Sequence, residues 1–385
     1  MACIVFFVDS TEGHIYPTFG LAHSLRNAGH SVSYLSIPDY ESVIRKQGFE
    51  VRTLPDNPHP KSPSLTLRVI EGELDAFFER SKPDLLIINI FLILEALILH
   101  YKYKIWPVIL TPYLQSPESP MVHQCTGFIG KKKGAEAALI AEYLQRFGKR
   151  SAEEILYPVS KFPELILCPS ELETDPLPGK RNSYYVQPSI NTELSSEGQQ
   201  HQVNIPGHKR ILYASLGSNA GAYQDGKRVS FYKIIIDTIL RLEMPDLHLI
   251  MAVGREFDMT ILGDLPANIT VVHWAPQIAV LKQASLAIIH GGLGSIKECI
   301  YYGVPMIVIP MGFDQYRNAE MINTRQLGIT RKIEEITGEM LLSDIRRILE
   351  DRHIKENIIN MQRIFIEREA SQPSTRIIEA LLKPH

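Results

Sequence analysis

Cysteine is scarce and scattered. The four residues, Cys3, Cys125, Cys168 and Cys299, form no CxxC pair. That spacing supports neither a disulfide framework nor a zinc site, and it fits a reducing, cytoplasmic compartment. Neither sign of charge is in excess. Lys and Arg total 40 against 43 Asp and Glu, a net charge of −3, so no basic surface argues for nucleic acid. No basic segment precedes the apolar stretch 3–8, so no signal peptide is expected. The most apolar run, 85–99, is interrupted by Asn89 and Glu95. It falls short of the roughly 20 residues a membrane span needs. A buried parallel strand running into a buried helix explains it better, with weak peripheral membrane contact as the second reading.

What is present is an alternation. The chain of 385 residues is long enough for two domains, and its 45% hydrophobic and 22% charged residues suit a sizeable core. Short continuous apolar runs at 3–8, 31–36, 49–54, 85–90, 107–111 and 165–168 read as strands. Helical stretches lie between them, first from Pro17 to Ala28, where proline suits the first turn and Gly29 the C′ position. Another lies near 39–47, and 55–63 reads as a proline-rich loop. The segment 170–208 is rich in Pro, Gly, Ser, Asn and Gln, which places a domain boundary near 195–208. A second series follows, with strands at 210–215, 247–253, 269–273, 286–290 and 305–310 and helices at 229–242, 276–284, 295–302 and 315–326. The Lys131-Lys132-Lys133 run reads as a solvated loop. The spacing predicts an α/β architecture of two doubly wound domains, 1–200 and 208–365, facing a cleft, with a C-terminal helix at 366–385 packing back on the first.

The most informative stretch is 274–315. It opens with Trp274-Ala275-Pro276-Gln277, passes through His290-Gly291-Gly292-Leu293-Gly294-Ser295, and closes with Asp314-Gln315. A strand ending at His290 runs into a glycine-rich turn and a helix start. Glycine lets backbone N–H groups approach an anion, and the helix N-terminus adds positive partial charge, which outlines a diphosphate cradle. The turn is neither GxxxxGK[ST] nor a GxGxxG opening a first βαβ unit, so a P-loop and an ordinary dinucleotide site are disfavoured. Ser295-x-x-Glu298 is also a capping box, with Ser295 as N-cap and Glu298 at N3. Trp274 alone reads as a core residue and Asp314 alone as a turn residue; their ordered spacing at strand ends changes that.

This stretch resembles the signature of the family 1 glycosyltransferases, the UDP-dependent GT-B enzymes that include plant secondary-product and bacterial macrolide glycosyltransferases. The match runs through WAPQ, HGG, S-x-x-E, Gly303-Val304-Pro305 and DQ. The segment 212–218 is similar to the family's first C-domain strand, and Gly13-His14-Ile15-Tyr16-Pro17 to its GHxxP. The resemblance implies that Trp274 stacks on the uracil while main chain near Ala275 reads its edge. It implies that Gln277 and Glu298 bind ribose hydroxyls, that Ser218, His290, Gly292 and Ser295 contact the diphosphate, with Gly294 in the same nucleotide-sugar-binding set, and that Asp314 and Gln315 bind the sugar. Leu293 and Gly294 stand where plant enzymes have Trp and Asn; both look bacterial and leave the sugar open.

His14 lies just beyond strand 3–8, where sites form in open sheets. A histidine there can take a proton from an acceptor hydroxyl. The family usually orients it with an Asp after the fourth strand, and here that position is Asn89. Asn89 can fix the imidazole tautomer but supplies no charge; Glu95, one or two turns further, is the other candidate partner. The expectation is an inverting transfer of a hexose, glucose first, from a UDP-sugar to a hydroxyl of a small lipophilic acceptor. The apolar segments 85–99 and 113–129 would wall an aromatic, polyketide or terpenoid acceptor. No metal or cofactor is expected. A UDP-sugar 2-epimerase-like enzyme and a non-catalytic nucleotide-sugar-binding protein are the alternatives.

Overall fold

The computed structural model describes residues 1–9, 12–36, 38–54, 64–114, 121–147, 151–174, 182–190, 203–207, 209–217, 225–312 and 314–383. The chain forms two compact units. One comprises Met1–Cys168, Asp175–Ser189 and Ser371–His385; the other comprises Pro169–Thr174 and Ile190–Ala370. The proline-rich stretch 55–63 and most of the expected boundary 195–208 lie outside the described residues.

The first unit is built on β1 (Cys3–Phe7), β2 (Ser31–Ser36), β3 (Glu50–Thr53), β4 (Leu85–Asn89), β5 (Pro107–Thr111), β6 (Glu164–Ile166) and β7 (Ser183–Tyr185). They form one sheet in the order β3-β2-β1-β4-β5-β6-β7 with every pair parallel. Helices cover both faces of such a sheet, so its central strands bury both sides and read as continuous apolar runs. All five residues of β4 and of β5 are buried. At roughly 1.5–3 kcal/mol for each fully buried Leu, Ile or Val, these two strands anchor the core. The run 85–99 continues from β4 into the helix Ile93–Tyr103, and every residue in it but Phe91 is buried. The membrane-contact reading of this run is therefore corrected: its apolar surface is spent inside the fold.

The second unit is built on β8 (Arg210–Ser215), β9 (Leu247–Ala252), β10 (Ile269–Val272), β11 (Ala284–Ile289), β12 (Met306–Val308) and β13 (Gly328–Thr330), in the order β10-β9-β8-β11-β12-β13, again all parallel. The sequence does not announce β7 or β13, because three-residue strands carry no periodicity. The expected strand 305–310 shrinks to β12; Pro305 and Pro310 flank it and have no N–H to give a ladder. The helices Met121–Lys131 and Gly134–Gln145 also lie where glycines and lysines obscure the helical pattern.

Position 366 falls inside the helix Arg352–Ser371 rather than starting a new one. The break comes at Gln372, whose φ of 42° is left-handed, and Pro373 opens the last helix, Pro373–Leu381. That helix belongs to the first unit. Gln187 Nε2 donates to Ser374 Oγ at 2.5 Å, and Thr375 Oγ1 donates to Ser24 Oγ at 2.7 Å.

Each sheet has one point where the strand order reverses: between β1 and β4 in the first unit, and between β8 and β11 in the second. Crevices at the carboxyl ends of such strands are where open α/β sheets hold ligands.

Candidate active site

In the second unit the reversal point carries His290. β11 ends at Ile289, opposite Ser215 of β8, and the chain passes through His290, Gly291 and Gly292 into the helix Leu293–Tyr301. The imidazole fills a slot between two glycines. A Cβ on Gly217 would lie 2.4 Å from His290 Cε1, and a Cβ on Gly292 would lie 2.5 Å from His290 Nε2. Gly217 also has φ of +81°, a conformation that L side chains rarely adopt. Burial pushes the His290 imidazole down to about 4, so it is neutral near pH 7. Its Nδ1 is buried with no hydrogen-bond partner among the described residues. A buried polar atom left unpaired in this way costs about 1–3 kcal/mol.

Ser295 does not cap the helix that follows. Gly292 is the N-cap and makes no side-chain capping bond, so Ser295 stands inside the first turn and Glu298 beyond it. The capping-box reading is corrected: a box needs Ser295 outside the helix, and the chain enters helical geometry two residues earlier. The first-turn N–H groups, which no side chain caps, face the side on which an anion binds best. Ser218 lies outside the described residues.

Glu298 is instead part of a relay. Tyr213 Oη donates to Gln277 Oε1 at 2.9 Å. Gln277 Nε2 donates to Glu298 Oε2 and, at 3.3 Å, to Ser295 Oγ. Burial pushes the Glu298 carboxyl up, and the Gln277 bond and nearby Lys297 pull it back. Gln277 opens the helix Gln277–Leu281, three residues after the half-buried Trp274 and two after the buried Ala275. Trp274, Gln277, Ser295 and Glu298 are thus carried by neighbouring elements of one unit. Gly294 is exposed, with open space where a Cβ would stand.

The Asp314-Gln315 pair starts the helix Gln315–Thr324. Gln315 Oε1 accepts from the N–H groups of Met311 and Gly312 at 2.8 and 3.1 Å, so that oxygen is committed to its own loop. Asn318 was not singled out from the sequence. It is fully buried, and its Nδ2 donates at 2.9 Å to Gly291 O and to Asp314 Oδ2. One amide thereby ties the glycine turn to Asp314. Its position four residues after Asp314, on the same helix face, was the available signal.

In the first unit the reversal point carries His14, in the short helix Glu12–Ile15 after β1. His14 Nδ1 lies 2.8 Å from Asp9 Oδ2 and 2.9 Å from Oδ1. Phe91, from the end of β4, stacks on the imidazole with ring centroids 4.4 Å apart. Phe91 also meets Tyr113 at 5.5 Å and Phe128 at 6.5 Å.

Both expected partners of His14 are occupied elsewhere. Asn89 Oδ1 accepts from the Phe91 N–H at 2.9 Å, an Asx-type turn that opens the single 3₁₀ turn Ile90–Leu92. The side chain is 1% exposed, and its Nδ2 is buried with no hydrogen-bond partner among the described residues. Glu95 is buried on the helix Ile93–Tyr103 and accepts from Thr66 Oγ1 at 2.6 Å. Burial pushes its carboxyl up from the ordinary range, against the pull of the Thr66 bond. The residue that sequence reasoning missed is Asp9; its signal was a carboxylate just past a strand end, five residues before the histidine.

Among the described residues, no group of three or more His, Cys, Asp or Glu is placed to share a metal ion, and no helix is long and apolar enough to cross a membrane.

The profile of the family described as UDP-glucoronosyl and UDP-glucosyl transferase matches residues 191–375. The NDP-glycosyltransferase YjiC of Bacillus subtilis (strain 168) is 25% identical over 96% of this chain and 95% of its own. The oleandomycin glycosyltransferase of Streptomyces antibioticus is 32% identical over 46% of this chain and 39% of its own. Among solved structures, the glycotransferase of kitacinnamycin superposes with a TM-score of 0.78 at 23% identity, covering 99% of both chains. The calicheamicin glycosyltransferase superposes with a TM-score of 0.72 at 20% identity, covering 99% of this chain and 98% of its own. The structures fix the fold as GT-B and the profile covers the unit that carries His290, Glu298 and Asp314: the chain belongs to the family 1 glycosyltransferases.

Proposed function

We propose that this glycosyltransferase moves a hexose, glucose in the first instance, from a UDP-sugar to a hydroxyl of a small lipophilic acceptor, with inversion at the anomeric carbon. The observation that carries the donor half is the neutral His290 imidazole, wedged between Gly217 and Gly292 with its buried Nδ1 unpartnered among the described residues. A diphosphate oxygen would satisfy that atom, and the uncapped first turn of the helix Leu293–Tyr301 would add N–H groups and positive partial charge. Glu298, held by Gln277, would accept from ribose hydroxyls, and Asp314, held by Asn318, from the sugar.

His14 is the base in this reading. The acceptor oxygen bonds to the anomeric carbon while its proton passes to His14 Nε2. The bond from that carbon to the UDP oxygen breaks, and its electron pair leaves with UDP. Phe91, Tyr113 and Phe128 favour an acceptor with an aromatic or other flat apolar surface.

The test is incubation with UDP-glucose, dTDP-glucose and a panel of phenols and aliphatic alcohols, read by mass spectrometry. The expected result is an acceptor glycoside formed from UDP-glucose and lost in His14→Ala. UDP binding with no glycoside from any acceptor would support a non-catalytic binding protein instead, and UDP-sugar isomerised without acceptor would support an epimerase.

A further inference from the structure

We infer that Asp9 is the residue that positions His14 for proton transfer, supplying from the end of β1 the carboxylate that the end of β4 lacks. The inference rests on His14 being the base. A carboxylate oxygen only accepts hydrogen bonds, so with Asp9 at 2.8 Å it is Nδ1 that carries the imidazole proton. The lone pair then sits on Nε2, and among the described residues Asp9 alone hydrogen-bonds the ring. This is the tautomer a base needs on the atom facing the acceptor.

The geometry is built rather than incidental. β1 is held on both edges, by β2 and β4. Val8 is 2% exposed and its N–H donates to Leu35 O at 3.3 Å, so Asp9 leaves the sheet from a fixed point. On the far side, Ile15 is fully buried and its carbonyl accepts from Thr18 Oγ1 at 2.6 Å, which fixes the backbone just after His14. Asp9 and His14 are 18% and 17% exposed, so the pair is largely shielded and not an ordinary surface ion pair. Asp9 restrains the ring at its edge and Phe91 restrains it on its face. In the transition state the proton arriving on Nε2 makes the ring cationic, and the carboxylate stabilises that charge. Asn89 cannot, because it is neutral and already engaged with Phe91 N–H.

The decisive experiment combines a spectroscopic and a kinetic readout on the full chain. In protein labelled with ¹⁵N-histidine, the His14 resonances, assigned by their loss in His14→Ala, should show the Nδ1–H tautomer in the wild type. Asp9→Asn should shift the population toward Nε2–H. Asp9→Asn should also lower kcat on an aliphatic alcohol about 10²- to 10⁴-fold, the range of a lost orienting carboxylate, with KM for UDP-glucose and the Kd of UDP unchanged. The loss should be smaller on a phenol, and Asp9→Glu, which keeps the charge, should recover part of the rate. A wild-type Nε2–H tautomer would overturn the inference. So would wild-type kcat in Asp9→Asn alongside an inactive His14→Ala. Should Asp9→Asn fail to fold, the wild-type tautomer and Asp9→Glu decide. His14→Ala as active as the wild type would remove the base reading itself, while the tautomer would still report whether Asp9 holds the ring.

Discussion

Phe91 lies flat on His14, with ring centroids 4.4 Å apart and planes inclined by only 14°. The contact joins the ends of β1 and β4, the two strands at which the first sheet reverses its order. Phe91 is 39% exposed, in the 3₁₀ turn just beyond a fully buried strand. Its worth is in what it does to the imidazole: an aromatic pair contributes about 0.5–1.5 kcal/mol beyond burial, and more when one ring becomes cationic. Phe91→Ala should therefore lower kcat on alcohol acceptors about 3- to 10-fold and raise the acceptor KM. UDP affinity, measured by calorimetry, should not change, since the residues proposed to hold the nucleotide belong to the other unit.

Asn89 should act through Phe91 and not directly on His14. Its Oδ1 caps the 3₁₀ turn by accepting from Phe91 N–H. Asn89→Ala should cost about 0.5–2 kcal/mol of stability, the usual range for a lost cap, visible as a lower Tm. It should lower kcat no more than Phe91→Ala does. In a double-mutant cycle the two effects on kcat should be far from additive, because both remove the same stacking. Additive losses would mean that Asn89 reaches the chemistry by a separate route.

The contrast between Asn89 and Asp9 shows what could be seen in the sequence. Continuous apolar runs such as 85–89 and 107–111 announce buried parallel strands, so both sheets and most of their helices were readable. The ordered spacing from Trp274 to Gln315 likewise marked out residues that the fold carries on one unit. What was not readable is where a side chain points. Asn89 ends β4 and Asp9 lies two residues past β1, yet the Asn89 Oδ1 closes an Asx turn while Asp9 meets the imidazole. Ser295 and Glu298 have the spacing of a capping box, and the entry of the helix at Leu293 alone decides otherwise. Three-residue strands such as β7 and β13 exist because neighbours pair with them, which no local pattern records.

The three glycines around His290 should respond differently to a methyl group. Gly217→Ala and Gly292→Ala each drive a Cβ to within 2.5 Å of the imidazole, so the ring must leave its slot. Both should weaken UDP binding at least about 10-fold, the loss of one good polar contact. Gly294→Ala meets open space inside the first helical turn. It should leave UDP affinity intact and stabilise the protein by about 0.5–1 kcal/mol, the helical advantage of alanine. A strong loss of UDP binding in Gly294→Ala would show that the ligand occupies that open space.

The Tyr213–Gln277–Glu298 relay bears on the choice of nucleotide. If Glu298 accepts from both ribose hydroxyls, UDP should bind more tightly than dTDP, which lacks the 2′-hydroxyl. A hydrogen bond to a charged group contributes about 1.5–3 kcal/mol, so the preference should be at least about 10-fold and should shrink in Glu298→Gln. Tyr213→Phe removes the hydroxyl that holds Gln277 Oε1 and should shrink it partway. Equal UDP and dTDP affinity in the wild type would take Glu298 out of ribose recognition.

His290 should leave a signature in stability against pH. Its imidazole is pushed from the ordinary 6.5 down to about 4 in the folded protein. Between those values the unfolded chain binds a proton that the folded chain refuses, so stability rises with pH across that window. Below about 4 both states are protonated and above about 6.5 neither is, so the contribution is flat outside it. One proton gives a slope of at most about 1.4 kcal/mol per pH unit. Glu298 and Glu95, both pushed up by burial, act in the opposite sense: the folded state holds their protons longer, and stability falls as pH rises past their unfolded values. The two trends overlap, so the measurement that separates them is a difference. Denaturant unfolding of the wild type and His290→Asn at pH 4.5, 5.5, 6.5 and 7.5 should give curves that converge at low pH. The wild type should gain more with rising pH up to about 6.5, and the difference should stay constant above that. Parallel curves over the whole range would mean that His290 titrates alike in both states, and the neutral imidazole assigned to the diphosphate cradle would have to be given up.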